Sequence, residues 1–223
     1  MNKLANQDLT PASSKRPQSL GEEIANSVSH GVSLLAAVVA TPFLLIAMAR
    51  RGGLAVVVGA SIFAAAMVLL YLTSTLYHAL PRSRAKRAFR VLDHSAIFIL
   101  IAGTYTPFTL GVLRGGWGWT MFGLIWGLAI LGIALKAIAG LRYPALSTGL
   151  YVGMGWLVVI AIRPLWLHVP APGLLWLVAG GLAYTAGVAF YAADRFRYVH
   201  FVWHLFVIAG TVCHFVAVLK YSA

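Results

Sequence analysis

Two histidines, His200 and His204, lie four residues apart in the stretch HFVWH, where the last apolar segment of the chain begins. On a helix this spacing places both imidazoles on one face, about one turn apart. Two imidazoles in this arrangement can bind one metal ion, as other zinc-binding pairs on helices do. The residue before the second histidine is Trp203, so the pair brings no general base of its own. The alternative is that both are ordinary histidines at a membrane interface.

The other residues that a metal site would need occur in two earlier apolar segments. His78 ends the second segment and is the candidate third ligand, while Asp93 begins the third and is the candidate general base. Ser74 lies one helical turn from His78 and could hydrogen-bond a metal-bound water. Three protein ligands with one open position are typical of catalytic zinc, which lowers the pKa of its water to about 7. Asp93 could hold that water and take its proton.

A polar face on the first apolar segment has two interpretations. Glu23, Asn26 and His30 follow one another at spacings of three and four residues, so they share one face of a helix. They could hydrogen-bond the metal ligands and orient them. Alternatively, they simply mark the start of a helix at the membrane interface.

The composition indicates a membrane protein. Of the 223 residues, 61% are hydrophobic and 10% are charged, whereas charged residues make up about 25% of an ordinary soluble domain. Seven apolar segments are each long enough to cross a bilayer core of about 30 Å, and backbone groups in lipid require helices there. We therefore expect an all-α membrane protein, a bundle of seven transmembrane helices. The predicted spans are approximately 27–49, 54–79, 91–113, 118–139, 146–167, 173–193 and 199–219.

The net charge of +12 comes from basic residues in short loops between apolar segments, not on a folded face, which argues against a nucleic-acid partner. Twelve Lys and Arg residues lie on the side of the N-terminus and four on the other side. The positive-inside rule then predicts a cytoplasmic N-terminus and an extracytoplasmic C-terminus. Residues 1–22 are polar and predict a disordered cytoplasmic tail, not a secretory signal. Residues 23–223 form the predicted membrane domain.

This topology brings the rare polar residues to one level of the membrane. The predicted cytoplasmic side carries all five acids of the chain, Asp8, Glu22, Glu23, Asp93 and Asp194. Five of the seven histidines fall there as well, and His168 and His214 are the exceptions. Polar groups are costly in a membrane unless they are paired, so side chains from four helices at one depth indicate a site.

Three separated motifs resemble the signature of a known family. STLYH at 74–78, Asp93 in DHSAIFILIAGTYTP, and HFVWH at 200–204 resemble the Ser-x3-His, Asp, His-x3-His pattern of the hemolysin III family. That family is part of the progestin and adipoQ receptor superfamily. The opening EEIANSVSHGVS is similar to the first-helix motif of the family, and the resemblance runs from about residue 20 to the end.

The resemblance implies a seven-helix bundle with its N-terminus inside and zinc near the cytoplasmic face. By this likeness His78, His200 and His204 are the ligands, and Asp93 contacts the metal water. Three imidazoles suit zinc, although copper, nickel and iron accept them too. The likeness also implies that the protein lies in the inner membrane of a bacterium and crosses it several times.

Three functions are compatible with this pattern. The superfamily includes alkaline ceramidases, so the first is a zinc-dependent hydrolase of a lipid amide or ester that acts in membrane-lipid homeostasis. Bacterial members take their name from cytolytic activity, so the second is a cytolysin or pore. The third is a receptor or regulator without catalysis, in which zinc holds the helices together.

Overall fold

The computed structural model describes residues 16–193 and 195–223, and within these ranges it contains helices and no strand. A single 3-10 segment, Leu157–Ala161, joins α5 to α6. The helices in chain order are α1 Leu20–Arg51, α2 Leu54–Ala79, α3 Arg84–Leu110, α4 Gly116–Ala139, α5 Pro144–Trp156, α6 Ile162–His168, α7 Ala171–Ala192 and α8 Val199–Tyr221.

Seven helical stretches of the described chain are long and apolar enough to cross a membrane, with α5, the 3-10 segment and α6 together forming the fifth, Pro144–His168. Large apolar side chains point outward from these spans, among them Val39, Ile138 and Leu175, each more than half exposed. Such a surface is stable against lipid and not against water. The predicted all-α bundle of seven transmembrane helices is therefore confirmed.

The first helix begins at Leu20, seven residues before the predicted start of the span. Ser19 and Glu22 form a capping box, in which the serine hydroxyl accepts from the Glu22 backbone N–H and the carboxylate accepts from the Ser19 N–H. This reciprocal pair satisfies two backbone donors that a helix start would otherwise leave open. The last three residues of the predicted tail, 20–22, thus belong to α1, while residues 1–15 of that tail lie outside the described chain.

Glu22 also connects the start of α1 to the start of α8. Its Oε1 accepts a hydrogen bond of 2.9 Å from the backbone N–H of Tyr198, the residue that precedes α8. Tyr198 has a left-handed backbone with φ of 58°, so the chain turns sharply just before the HFVWH stretch. The carboxylate therefore fixes the start of α8 against the start of α1.

The helices pack as a ring in which α1 contacts α2 and α8, α3 contacts α2 and α4, and α5 and α7 close the circuit. Small residues allow the close approaches that packing in lipid requires. A Cβ at Gly59 would lie 2.9 Å from the Cα of Pro107, and one at Gly103 would lie 2.7 Å from the Cβ of Ala66. Both contacts hold α2 tightly against α3.

The fifth span is not the single continuous helix predicted over 146–167. Its α-helical pattern breaks at the 3-10 segment, where the Tyr105 hydroxyl of α3 lies 2.9 Å from the Met154 carbonyl and 2.8 Å from that of Gly155. The same oxygen accepts the Val158 N–H at 2.9 Å. Because a polar side chain from a neighbouring helix satisfies the freed backbone groups, the break is tolerated within the membrane.

Candidate metal centre

The three predicted ligands come together at one end of the bundle, where α1, α3 and α8 begin and α2 ends; we call this the site end. One ring nitrogen from each of His78, His200 and His204 lies within 4.8 Å of the other two. The ring centroids are 4.9 to 5.3 Å apart. His78 lies in the last turn of α2, and His200 and His204 lie in the first two turns of α8. Two oppositely directed helices therefore form the cluster.

His78 is oriented by a carboxylate from α1. Its Nδ1 lies 2.8 Å from Glu23 Oε2, while Glu23 Oε1 lies 2.9 Å from the Lys86 ammonium of α3. Its other nitrogen, Nε2, is buried and has no hydrogen-bond partner among the described residues. A histidine whose Nδ1 is bound to a carboxylate presents Nε2 as a ligand in a fixed direction, as in many metal sites.

His204 is held by two neighbours on α1. Ser29 Oγ lies 3.3 Å from its Nδ1, and the His30 ring stacks on its ring with centroids 3.7 Å apart and planes inclined by 8°. The edge of Tyr71 on α2 closes the other side of His30, at 5.2 Å between centroids. All these side chains except Ser29 are buried, so the imidazole of His204 has little freedom to turn.

The polar face predicted on the first helix divides into two parts. Glu23 and His30 both touch a candidate ligand, as described above. The Asn26 side chain instead donates a hydrogen bond of 2.9 Å to Gln18. The face that the spacing predicts is present, but only two of its three side chains reach the histidines.

The two candidate catalytic residues lie on the wall of a cavity next to the cluster. Ser74 is 1% exposed and its hydroxyl makes no hydrogen bond within the described chain, although most buried hydroxyls find a partner. Asp93 is also buried, with Oδ2 at 3.3 Å from His94 Nδ1. It is not part of the convergent set of ligand atoms, so it stands near the cluster without belonging to it.

The cavity has a volume of about 300 Å³ and runs from the histidines into the bundle between α3, α5, α6, α7 and α8. That volume is at the lower end of the range of small-molecule sites. Asp93 and most of the histidines of the wall lie at the site end. The remaining wall is mostly apolar, with Leu100, Phe108, Leu165 and Leu177 among its residues, and it also includes Thr109 and His214. The space therefore suits a ligand with a polar head and a long apolar chain.

Several contributors to this site carried no recognisable sequence signal. Ser29 and Lys86 act on the ligands only through contacts between helices, which no spacing along the chain reveals. His94 follows Asp93 directly, and helical spacing alone points it about 100° away from that carboxylate. It lines the same cavity, while its Nδ1 lies 2.8 Å from the Arg90 carbonyl and its own carbonyl accepts from the Tyr151 hydroxyl at 2.7 Å.

The donor set fits a divalent metal ion. Three imidazoles without a thiolate match the ligands of catalytic zinc sites, which leave a fourth position open. The buried Nε2 of His78, without a hydrogen-bond partner in the described chain, is the observation that a ligand role explains best. The cavity adjoins the cluster, so the open position would face a space that a substrate can occupy.

Comparison with known proteins gives a consistent assignment. Residues 18–215 match the family described as Haemolysin-III related. Hemolysin-3 of Bacillus cereus is 40% identical over 213 residues, which is 96% of this chain and 97% of that protein. The Hemolysin-3 homolog of Bacillus subtilis (strain 168) is 42% identical over 200 residues, 90% of this chain and 94% of that protein.

A more distant similarity reaches animals. The human monocyte to macrophage differentiation factor is 28% identical over 173 residues, 72% of this chain and 68% of that protein. The chain belongs to the hemolysin III family, and the resemblance inferred from its three motifs is confirmed.

Proposed function

We propose that this membrane protein is a metal-dependent hydrolase that cleaves an amide or ester bond of a membrane lipid. The observation that carries the proposal is the convergence of His78, His200 and His204 at the polar end of a long apolar cavity. A structural metal site has no need of such a cavity, and its ligands usually fill all four positions. Zinc is the metal that the three imidazoles favour.

Zinc bound there would supply a Lewis acid and lower the pKa of a water molecule to about 7. In this scheme Asp93 orients the attacking water and takes its proton. Ser74 directs its unpaired hydroxyl toward the carbonyl oxygen of the scissile bond. Glu23 and Ser29 hold the imidazoles, through 2.8 and 3.3 Å contacts to Nδ1 of His78 and His204.

The cavity would hold the acyl chain of the substrate. Asp93 and Thr109 both line it and are 16 positions apart on α3 (109 − 93), a rise of about 24 Å. One leaflet of a bilayer contributes about 15 Å of hydrocarbon, half of the 30 Å core. A single lipid chain can therefore extend from the histidines along the apolar wall, with its carbonyl beside the metal.

The orientation of the bundle is part of the proposal. The twelve Lys and Arg residues on the N-terminal side support a cytoplasmic site end, and the Bacillus relatives are consistent with a bacterial inner membrane. The site would then act on lipids of the inner leaflet, in membrane-lipid homeostasis. Cysteines introduced at the exposed positions Ala223, at the C-terminal end, and Ala85, at the site end, would report the two sides to a membrane-impermeant thiol reagent.

The experiment that tests the function replaces the proposed base. Asp93→Asn keeps the size of the side chain and removes its charge. We expect the variant to retain metal and fold, and to lose turnover of fatty-acyl amides or esters by about 100-fold or more. Full turnover in Asp93→Asn would refute the assigned role of Asp93, and no turnover by the metal-loaded wild type across both substrate classes would refute the hydrolase.

A cytolysin is the second candidate, favoured by the name of the Bacillus cereus relative, Hemolysin-3. Purified protein added to dye-filled liposomes distinguishes the two functions. Lysis that persists in His200→Ala/His204→Ala would support a pore independent of the metal site. Metal binding that stabilises the bundle, without lysis or turnover, would support a receptor or regulator in place of both.

A further inference from the structure

A second pocket lies outside the metal centre, at the connection between α2 and α3. It has a volume of about 310 Å³ and a wall without any acidic residue. The lining residues are Tyr77, Arg82, Ser83, Lys86, Arg87 and Arg90. Four of the six carry a positive charge, so the pocket is a concave cationic surface.

Three of these cations have no side-chain partner within the described part of the chain. The guanidinium groups of Arg82, Arg87 and Arg90 are exposed, and none of them forms a salt bridge or a side-chain hydrogen bond with residues 16–193 or 195–223. A guanidinium presents five donors in a rigid plane that matches the oxygens of a phosphate. The pocket therefore offers several unsatisfied donors to one anion.

The start of α3 adds to the positive potential. Arg84, Lys86 and Arg87 occupy its first turn, which contains no acidic residue. The positive end of the helix dipole disfavours cations at that position and favours anions. The arrangement is unfavourable for the folded protein alone, and an anion bound in the pocket would relieve it.

Lys86 gives the pocket a fixed wall. Its ammonium donates to the carbonyls of Tyr77 and Leu80 at 2.9 and 3.0 Å, and it lies 2.9 Å from Glu23 Oε1. These contacts terminate α2 and join the pocket to the carboxylate that holds His78. An anion bound by the arginines would thus lie close to the metal centre without contacting its ligands.

We propose that this basic pocket binds the phosphate of an anionic membrane lipid. The pocket lies where two transmembrane helices end, the level at which lipid headgroups lie. Clusters of Lys and Arg beside a membrane helix attract anionic lipids, and basic pockets between helices bind their headgroups. The proposal does not depend on the hydrolase assignment.

The test uses the full-length protein in detergent and dioctanoyl phosphatidylglycerol as the probe, with binding followed by native mass spectrometry. Dioctanoylglycerol, which lacks phosphate, and inorganic phosphate are titrated separately. The test variant is Arg82→Gln/Arg87→Gln/Arg90→Gln. Its matched control is Arg142→Gln/Arg195→Gln/Arg197→Gln, which removes three exposed charges from other loops.

We expect the test variant to bind the anionic lipid at least about tenfold more weakly and the control to bind it like the wild type. Competition by millimolar inorganic phosphate would show that the phosphate itself is recognised. Binding of inorganic phosphate without binding of the lipid would overturn the lipid assignment. If both triple variants bind the anionic lipid equally weakly, the binding comes from a diffuse basic surface and not from this pocket. If the wild type binds dioctanoylglycerol as tightly as the anionic lipid, the phosphate is not recognised. The single variant Arg87→Gln repeats the test if the triple variant unfolds.

Discussion

The carboxylate of Glu23 on α1 lies 2.8 Å from Nδ1 of His78 on α2. Its second oxygen lies 2.9 Å from Lys86 on α3, so one acidic side chain connects the first three helices beside the candidate metal centre. The contact fixes the direction in which His78 presents Nε2 to the centre. A carboxylate in this position also makes the imidazole a better ligand.

Removing this carboxylate should weaken metal binding without abolishing it. Glu23→Ala should lower the affinity for zinc by about 10–100-fold, the usual effect of losing an outer hydrogen-bond partner. Glu23→Gln keeps an acceptor oxygen and should fall between the wild type and the alanine variant. Competition with a fluorescent chelator measures all three, and wild-type affinity in Glu23→Ala would show that the contact does not support the ligand.

The Ser74 hydroxyl has no hydrogen-bond partner in the part of the chain that the structure describes, so a role in function can be tested apart from a role in stability. A buried polar group without a partner contributes nothing favourable to the fold, so Ser74→Ala should keep or slightly raise the melting temperature. If the hydroxyl assists hydrolysis, turnover should fall by about 100-fold while the metal content stays unchanged. Ser61→Ala is the control, since that hydroxyl bonds the Val57 carbonyl of its own helix. Unaltered turnover in Ser74→Ala would remove this residue from the mechanism.

The cavity can be filled at a glycine that has space around it. Gly181 lines the cavity, and a Cβ built there would meet no atom within 4 Å. Gly181→Leu should fold normally and bind metal. Its turnover of long-chain substrates should fall by about tenfold or more, because overfilling a site costs about 1–3 kcal/mol.

The matched control is Gly123→Leu, which has equal space on α4 and lies outside the cavity. Short-chain substrates should be hydrolysed by both variants at wild-type rates. If Gly181→Leu and Gly123→Leu handle long chains equally well, the cavity is not the acyl site.

The break in the fifth span should depend on Tyr105. Its hydroxyl contacts two carbonyls and one N–H of that span, so Tyr105→Phe removes the hydrogen bonds between this side chain and the backbone at the break. We expect a loss of about 1–3 kcal/mol in unfolding free energy. Tyr143→Phe, at a site 46% exposed, should be close to neutral. Thermal unfolding in detergent compares the two variants with the wild type. If Tyr105→Phe is as stable as Tyr143→Phe, the hydroxyl does not maintain the break.

Much of the fold was predictable because the bilayer restricts the solutions. Seven apolar segments and the requirement for internal backbone hydrogen bonding lead to seven helices. The convergence of His78 with His200 and His204 was predictable for the same reason, since spans of alternating direction bring the end of one helix level with the start of another. The lengths of the apolar segments and the positions of the polar residues along them were enough to predict both the seven spans and the convergence of the histidines.

Contacts between helices were not predictable. Helical spacing placed Asn26 on the same face as Glu23 and His30, yet its amide donates a hydrogen bond to Gln18. Spacing along a helix predicts which residues share a face, but it does not predict their partners. The residues at 157–161 are ordinary apolar residues, and the hydroxyl that contacts the backbone at the 3-10 break belongs to Tyr105, some fifty positions earlier in the chain. The start of α1 was placed too late because the capping box lies in a polar stretch that hydropathy does not register.

The central claim is that three histidines hold a metal ion, and metal content tests it most directly. Inductively coupled plasma mass spectrometry would be applied to detergent-purified wild type, to His200→Ala/His204→Ala, and to His168→Ala as a control at the opposite end of the bundle. The account predicts about one zinc per chain in the wild type and in the control, and none in the double variant. Absence of metal from all three proteins, or equal metal in all three, would contradict it.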